Sequence, residues 1–337
     1  MKKLISLFII SMFLCTEVLA NGIDVLPTMM SKSANPDRVW VGTFQLVWND
    51  FMDKIVHNYV RFKDGTPDIV WELDAKTFDT NDISKKCYYK ITSRITKKIK
   101  NKIEKAIAKK FGETSDILDK LDLTPNPNNY IIYAMLKKDF EFLYSFDKLG
   151  KSSFGENQEA EYFGIDGNSD SEKANGVEVL FYNNPDDYAV VLQTKGNDSV
   201  YLYRTSANKP FNQIYEDLNK KKDRYKGITH LRKIDELKVP NIKFFEEKNF
   251  TELENKRVLG TNITIGQAIE SVKFEMDNNG VKLKSEAAMT ILTTALRAPT
   301  EVPRYYYFDK TFVIFLVEKD KSNPYFALRV NNIEKFQ

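Results

Sequence analysis

The stretch SVKFEMDNNGVKLKSEAAMT, residues 271–290, changes character halfway along. Its opening reads as the end of a strand over Glu270–Met276. Next come a turn with Gly280, two lysines, and then ten residues without charge, Ala287 to Leu296, in a chain whose composition is 29% charged. The uncharged run stops at Arg297, and Pro299 and Pro303 lie just beyond it. If the chain is extended from Ser285, side chains alternate between two faces. One face carries Ser285, Ala287, Met289, Ile291, Thr293 and Ala295, all uncharged; the other carries Glu286, Ala288, Thr290, Leu292, Thr294 and Leu296. Such a segment can enter a sheet with its first face toward a core. It cannot continue as a central strand past Arg297, because Pro299 and Pro303 lack the N–H that a ladder needs. Two readings are open: an ordinary buried strand, or a segment exposed first and buried later.

The N-terminus narrows the compartment. Lys2 and Lys3 precede an apolar run from Leu4 to Leu14, and Val18-Leu19-Ala20 is a small-residue cleavage pattern. The run is too short to span a bilayer. Residues 1–20 are therefore expected to be a signal peptide cleaved near Ala20, giving a periplasmic or extracellular protein without an integral membrane span. The net charge of +3 falls to +2 once Lys2, Lys3 and Glu17 leave. That balance demands neither nucleic acid nor an anionic surface as partner. Cys15 leaves with the leader, so Cys87 stands alone and no internal disulfide forms. Stability must come from a core, which one domain over residues 21–337 can build.

Along the chain, Val41 to Ile55 shows helical spacing, and Ser84 to Leu121 is expected to be the most helical part, with Ile95, Ile99, Ile103 and Ile107 as one stripe. The surrounding lysines, from Lys97 to Lys110, could meet a polyanion or a membrane surface; the favoured reading is the solvated face of a helix covering a sheet. From Asn129 the period changes. Tyr130–Phe146 reads as a long central strand, followed by strands at Val177–Tyr182, Tyr188–Thr194 and Val200–Arg204 with turns between them. A short helix over Phe211–Leu218 precedes strands at Leu237–Phe245, Glu270–Met276 and Phe312–Glu318. Helices mostly early and antiparallel strands later make an α+β fold.

Catalytic constellations are scarce. His57 and His230 have no metal-ligand spacing, Cys87 has no histidine or cysteine partner nearby, and neither a phosphate-cradling glycine motif nor a nucleophile elbow is present. Spacing singles out no pair among the carboxylates. No catalytic residue, cofactor or metal is assigned, and the chain is not expected to be an enzyme.

Several stretches together resemble a known family. SVKFEMDNNG followed by SEAAMT is similar to the last strand of the large sheet and the reactive-loop hinge of a serpin, the serine protease inhibitor fold. RYYYFDKTFVIFLVEKDKSNPYFALRVNN, residues 304–332, resembles the serpin C-terminal strands, with Thr311-Phe312 where the family has Pro-Phe. KVPNIKF, residues 238–244, resembles a further strand of that family. KIEKAIAKKFGETSDILDKLDL, ending at Leu123, is similar to the helix that lies across the sheet, and NYIIYAMLKKDFEFLYSF to the central strand after it. The resemblance spans roughly residues 100–332. It implies a divergent, bacterial-type serpin with a shortened N-terminal region, residues 21–100.

The resemblance implies a mechanical function. A serpin folds into a metastable state with an exposed bait loop, and after cleavage that loop enters its own sheet as a new strand and carries the acylated protease with it. The hinge would be Ser285, Glu286, Ala287, Ala288, Met289 and Thr290. Counting on from it brings Arg297–Ala298 and Ala298–Pro299 into range, and proline after the scissile bond blocks cleavage, which leaves Arg297–Ala298 as the reactive bond. Arginine there suits a protease with an acidic, trypsin-like specificity pocket. The expected partner is such a serine protease, met by a monomer. A non-inhibitory serpin-like binding protein is the alternative, favoured by Lys282 and Lys284, and an exported enzyme with unlocated carboxylates is the third.

Overall fold

The computed structural model describes residues 22–281 and 302–337. The leader expected over residues 1–20 lies outside them. In chain order come β1 (Asp24–Leu26), β2 (Arg38–Val41), α1 (Thr43–Phe51), α2 (Asp68–Asp74), β3 (Tyr88–Ile95), α3 (Ile99–Phe111), β4 (Asn126–Leu136) and β5 (Phe140–Glu141). The middle of the chain supplies β6 (Asp147–Phe154), β7 (Gln158–Ile165), β8 (Val177–Asn184), β9 (Asp187–Gln193), β10 (Asp198–Arg204), α4 (Phe211–Arg224), β11 (Glu236–Pro240) and β12 (Ile242–Asn249). Last come β13 (Ile269–Met276), β14 (Gly280–Val281), β15 (Tyr305–Tyr307), β16 (Phe312–Glu318) and β17 (Phe326–Val330). The fold class is α+β, with large, mostly antiparallel sheets.

The largest sheet runs β1-β2-β17-β16-β10-β9-β8. Its strands are rich in β-branched and aromatic residues, which suit a pleated surface buried against other layers. Val190, Leu202, Val313, Ile314 and Leu328 have no exposed surface at all. A second sheet, β15-β11-β7-β6, packs into the same core. The remaining strands form two pieces, β12-β13-β14-β5 and β3-β4.

α1 is buried on most of its faces, polar side chains included, and the donors of Gln45, Trp48 and Asn49 find backbone or carboxylate acceptors. The Gln45 amide donates to Leu73 O at 2.7 Å, the Trp48 indole to Asp74 Oδ1 at 2.9 Å, and the Asn49 amide to Phe78 O at 2.9 Å. α3 covers the β3-β4 pair: Ile99, Ile103 and Ile107 are buried with Ile95, Leu118, Ile131 and Tyr133. Its lysines at 97, 98, 102, 105, 109 and 110 are exposed. The stripe therefore packs on a sheet, as its spacing predicts.

Three sequence expectations need correction. The helix expected across residues 84–121 is only α3; Tyr88–Ile95 is a strand, paired antiparallel with β4. The isoleucine stripe hid this, because Ile95 closes the strand and yet continues the helix's four-residue spacing. The single strand expected over Leu237–Phe245 is two strands in different sheets. β11 pairs with β7 and β15, and β12 pairs with β13; the chain crosses between them at Pro240-Asn241, where Asn241 N–H donates to Glu161 O. Likewise the strand expected over Tyr130–Phe146 stops at Leu136 and resumes only briefly as β5.

Candidate functional site: a cleft between two strand edges

β13 pairs with β12 along its whole length, and β4 pairs with β3 along most of its own. Their other edges line one cleft of about 1200 Å³. Among the described residues, the second edge of β13 is paired only at Met276, and the second edge of β4 has no strand partner. Beyond the end of β4, β14 lies between β13 and β5: Val281 is in register with Met276 on one side and Phe140 on the other, antiparallel to both. A gap that admits one strand between two others is about 9–10 Å across, twice the usual strand spacing.

The turn that feeds β14 is held by local bonds. The Asp277 carboxylate accepts from the N–H of Asn279 at 2.7 Å and of Gly280 at 3.3 Å, as Asp does in turns. Phe142 N–H donates to Asn279 O and Phe146 N–H to Asn278 O, both at 2.8 Å. Gly280 is required by close approach: a Cβ there would stand 2.3 Å from Phe140 O and 2.7 Å from Glu141 Cα.

The junction between β4 and β5 is tied to the largest sheet by a buried ion network. The Lys138 ammonium donates to Asp198 Oδ1 at 2.7 Å and to the Glu318 carboxylate. Tyr325 OH donates to Asp198 at 2.9 Å, and Ser84 N–H to Glu318 at 3.0 Å. Burial works against the charge on Lys138, and the two carboxylates overcome it, so its pKa stands above the ordinary value. Cys87 is buried beside this network; burial pushes its thiol pKa up, which makes it a poor nucleophile.

The other end of the uncharged stretch has its own anchor. Asp235 has no exposed side-chain surface and accepts from both Arg232 and Arg304. Arg304 contributes its backbone N–H at 2.8 Å and its guanidinium at 2.7 Å, and Arg232 also donates to Val302 O at 2.9 Å. Burial alone would raise the Asp235 pKa, but the two arginines bring it down to about 2. β15 then pairs in parallel with β11.

Within the cleft wall sits a residue that sequence reasoning missed. Glu270 is 4% exposed and lies at an inward position of β13, alternating with buried Val272, Phe274 and Met276. Burial raises its pKa to about 8, against the opposing pull of the Phe44 N–H at the start of α1. Its parity was the available signal: an acid at the inward phase of an alternating strand. The expected hinge residues Ser285, Glu286, Ala287, Ala288, Met289 and Thr290, and the expected reactive bond Arg297–Ala298, lie outside the described residues. His57 and His230 are both exposed. Among the described residues, no group of three or more histidine, cysteine, aspartate and glutamate side chains is placed to hold a metal ion, and no helix is long and apolar enough to cross a membrane.

No family profile matches the chain, and no curated protein matches it. Among solved structures it is similar to Serpin48, a highly specific serpin of the insect Tenebrio molitor, with 13% identity over 81% of this chain and 74% of that one and a TM-score of 0.45. It is also similar to thyroxine-binding globulin in complex with thyroxine, with 13% identity over 69% of this chain and 64% of that one, TM-score 0.44. A second structure, of human thyroxine-binding globulin with its hormone, gives 11% identity, 69% and 63% coverage and a TM-score of 0.43. The chain thus spans about three quarters of the first and a little under two thirds of the other two. These three likenesses are of fold alone, at 11–13% identity.

Proposed function

We propose that this chain is an exported, serpin-like suicide inhibitor of trypsin-like serine proteases, working as a monomer through residues 285–304 with Arg297–Ala298 as the bait bond. The observation that carries this reading is the cleft, open along two strand edges and already entered by β14. Unpaired edges are a template for a further strand, and the chain leaving Val281 is the nearest candidate to supply it.

Extending the register of β14 tests the fit. Antiparallel to β13, Leu283 would fall opposite Phe274, Ser285 opposite Val272, Ala287 opposite Glu270 and Met289 opposite Ala268. Residues directly opposite share a face, so this uncharged set points inward. Lys282 and Lys284 point outward, opposite Glu275 and Lys273. The lysines then stay on the outer face and do not bar entry. In this reading the protease serine attacks the Arg297 carbonyl, the Ala298 amine leaves, and entry of the strand displaces the acyl-enzyme before water reaches the ester.

Incubating the protein with trypsin and resolving the products under denaturing conditions tests the proposal. A covalent complex that survives boiling, and that is lost in Arg297→Glu, is the expected result. Clean cleavage with trypsin left active would overturn it. That outcome favours a non-inhibitory binding protein, for which the like-charge pairing of Lys284 with Lys273 in the extended register is the specific support.

A further inference from the structure

Glu270 is the polar group in the cleft wall with the least support. Among the described residues neither carboxyl oxygen has a hydrogen-bond partner, and the nearby Phe44 N–H is the group that draws its pKa down. The charged neighbours are engaged elsewhere. Lys248, its register partner on β12, pairs with Asp24 at 3.1 Å. Lys138 is held by Asp198 and Glu318, Lys137 by Glu113 at 2.7 Å, and Lys243 stands 3.7 Å from Glu275. Lys273 is on the outer, exposed phase of β13. Buried polar groups are ordinarily satisfied, and one left without partners beside open volume needs an explanation.

The cleft wall next to it is hydrocarbon. Phe44, Trp48 and Phe51 from α1, Ile132 from β4, and Ile263 and Ile265 from the loop before β13 all line the cleft. The three isoleucines are only partly buried although they pack on the α1 cluster. An apolar pocket with one convergent polar group is the ordinary form of a small-molecule site.

We propose that this part of the cleft binds a small amphiphile with one protonated amine head and a hydrocarbon body, the ammonium pairing with Glu270 and the body covering Ile132, Ile263 and Ile265. The ammonium supplies both the donors and the charge that the buried carboxyl lacks, whereas a carboxylate head would meet a group that cannot accept a second negative charge. Binding converts Glu270 from the acid to the carboxylate and releases its proton. Affinity for the amine therefore rises with pH, by up to about tenfold per unit, until the free protein's Glu270 is itself ionised. An entering strand would use the same volume; that consequence rests on the proposed inhibitory function, whereas amine binding does not.

The test is calorimetric titration of the intact, uncleaved chain with dodecylamine, dodecanol and dodecanoate, each below its micelle threshold, at pH 6.5 and 8.5. One equivalent of dodecylamine should bind, at least about tenfold tighter than dodecanol and tighter at the higher pH. Glu270→Gln should remove both the preference and the pH dependence, and Ile265→Trp, which fills the pocket, should weaken amine and alcohol alike. Equal affinity for amine and alcohol, absence of amine binding, or a preference that persists in Glu270→Gln overturns the proposal. Should Glu270→Gln not fold, a flat pH profile in the unaltered chain overturns it equally. None of these readouts involves a protease, so loss of trypsin trapping leaves them unaffected.

Discussion

In the largest sheet, β16 lies between β10 and β17 and every residue from Phe312 to Glu318 is buried. β13 is of similar length, but its buried residues alternate where those of β16 are continuous, and among the described residues only Met276 has a strand partner on its second edge. What lies next door differs: β16 has a strand ladder on both edges, whereas, among the described residues, the second edges of β13 and β4 line the cleft. A β-sheet is stabilised mainly through cross-strand pairs, so strand edges without partners leave unused the free energy that a further strand would contribute.

Cleavage gives the largest predicted effect. If residues after Val281 enter the cleft, about eight new ladder positions at ~1 kcal/mol each should raise the melting temperature by roughly 15 °C in a chain of this size. Amides of β4 and β13 should at the same time gain protection against hydrogen exchange, while those of β10 and β16 stay as they were. An unchanged melting curve after a verified cut at Arg297 would erase the contrast between the two sheets. A second prediction compares paired truncations. Leu202→Ala, in the closed sheet with no exposed surface, should cost about 3 kcal/mol; Ile132→Ala, half-buried on the cleft edge, should cost under about 1 kcal/mol. Equal losses in denaturant unfolding would mean that the cleft wall is as tightly packed as the scaffold.

Glu270 provides a pH axis. Unfolded, it titrates near the ordinary glutamate value, about 4.5, and folded at about 8, so the folded state holds the proton longer. Stability from this group is complete below about pH 4.5 and is lost as pH rises toward 8, by about 3 kcal/mol at pH 7. Glu270→Gln should flatten that slope, which stability measured from pH 5 to 8 would reveal. The smallest effect concerns the entrance. Gly280→Ala should force β14 away from β5 at a cost of about 1–2 kcal/mol, with protection lost at Val281 and none lost in the largest sheet.

Much of the closed sheet is legible in sequence. The strands from Val177 to Arg204 are short, alternating and separated by turn residues, Asn183–Asp187 and Gly196-Asn197-Asp198, so local chemistry specifies them. The hairpin β6-β7 escaped notice because Lys148, Gly150, Lys151, Ser152 and Ser153 dilute its pattern on an exposed face. Tyr88–Ile95 was legible in composition, being aromatic and β-branched, but the four-residue isoleucine spacing spoke louder. The split between β11 and β12 at Pro240-Asn241 depends on which sheet each half meets, a non-local matter. The cleft belongs to the same class. Its edges are contributed by residues 126–136 and 269–276, and nothing local in either stretch shows that the other lines the same cleft. Glu270 could have been flagged by parity; that its oxygens lack partners could not.

The Asp235 anchor has a consequence for reversibility. A protease catalyses peptide-bond synthesis as well as hydrolysis, and a nicked loop whose ends stay together can be resealed. Here Arg304 is fastened to Asp235 by backbone and guanidinium alike, so on the proposed reading the piece beginning at Ala298 would stay tethered to that anchor. On the proposed reading, entry of the chain from residue 282 onward would draw Arg297 along the cleft, by up to about 50 Å of extended backbone. The Arg297 acyl group and the new amine would then never meet again, and the cut would be permanent through distance alone.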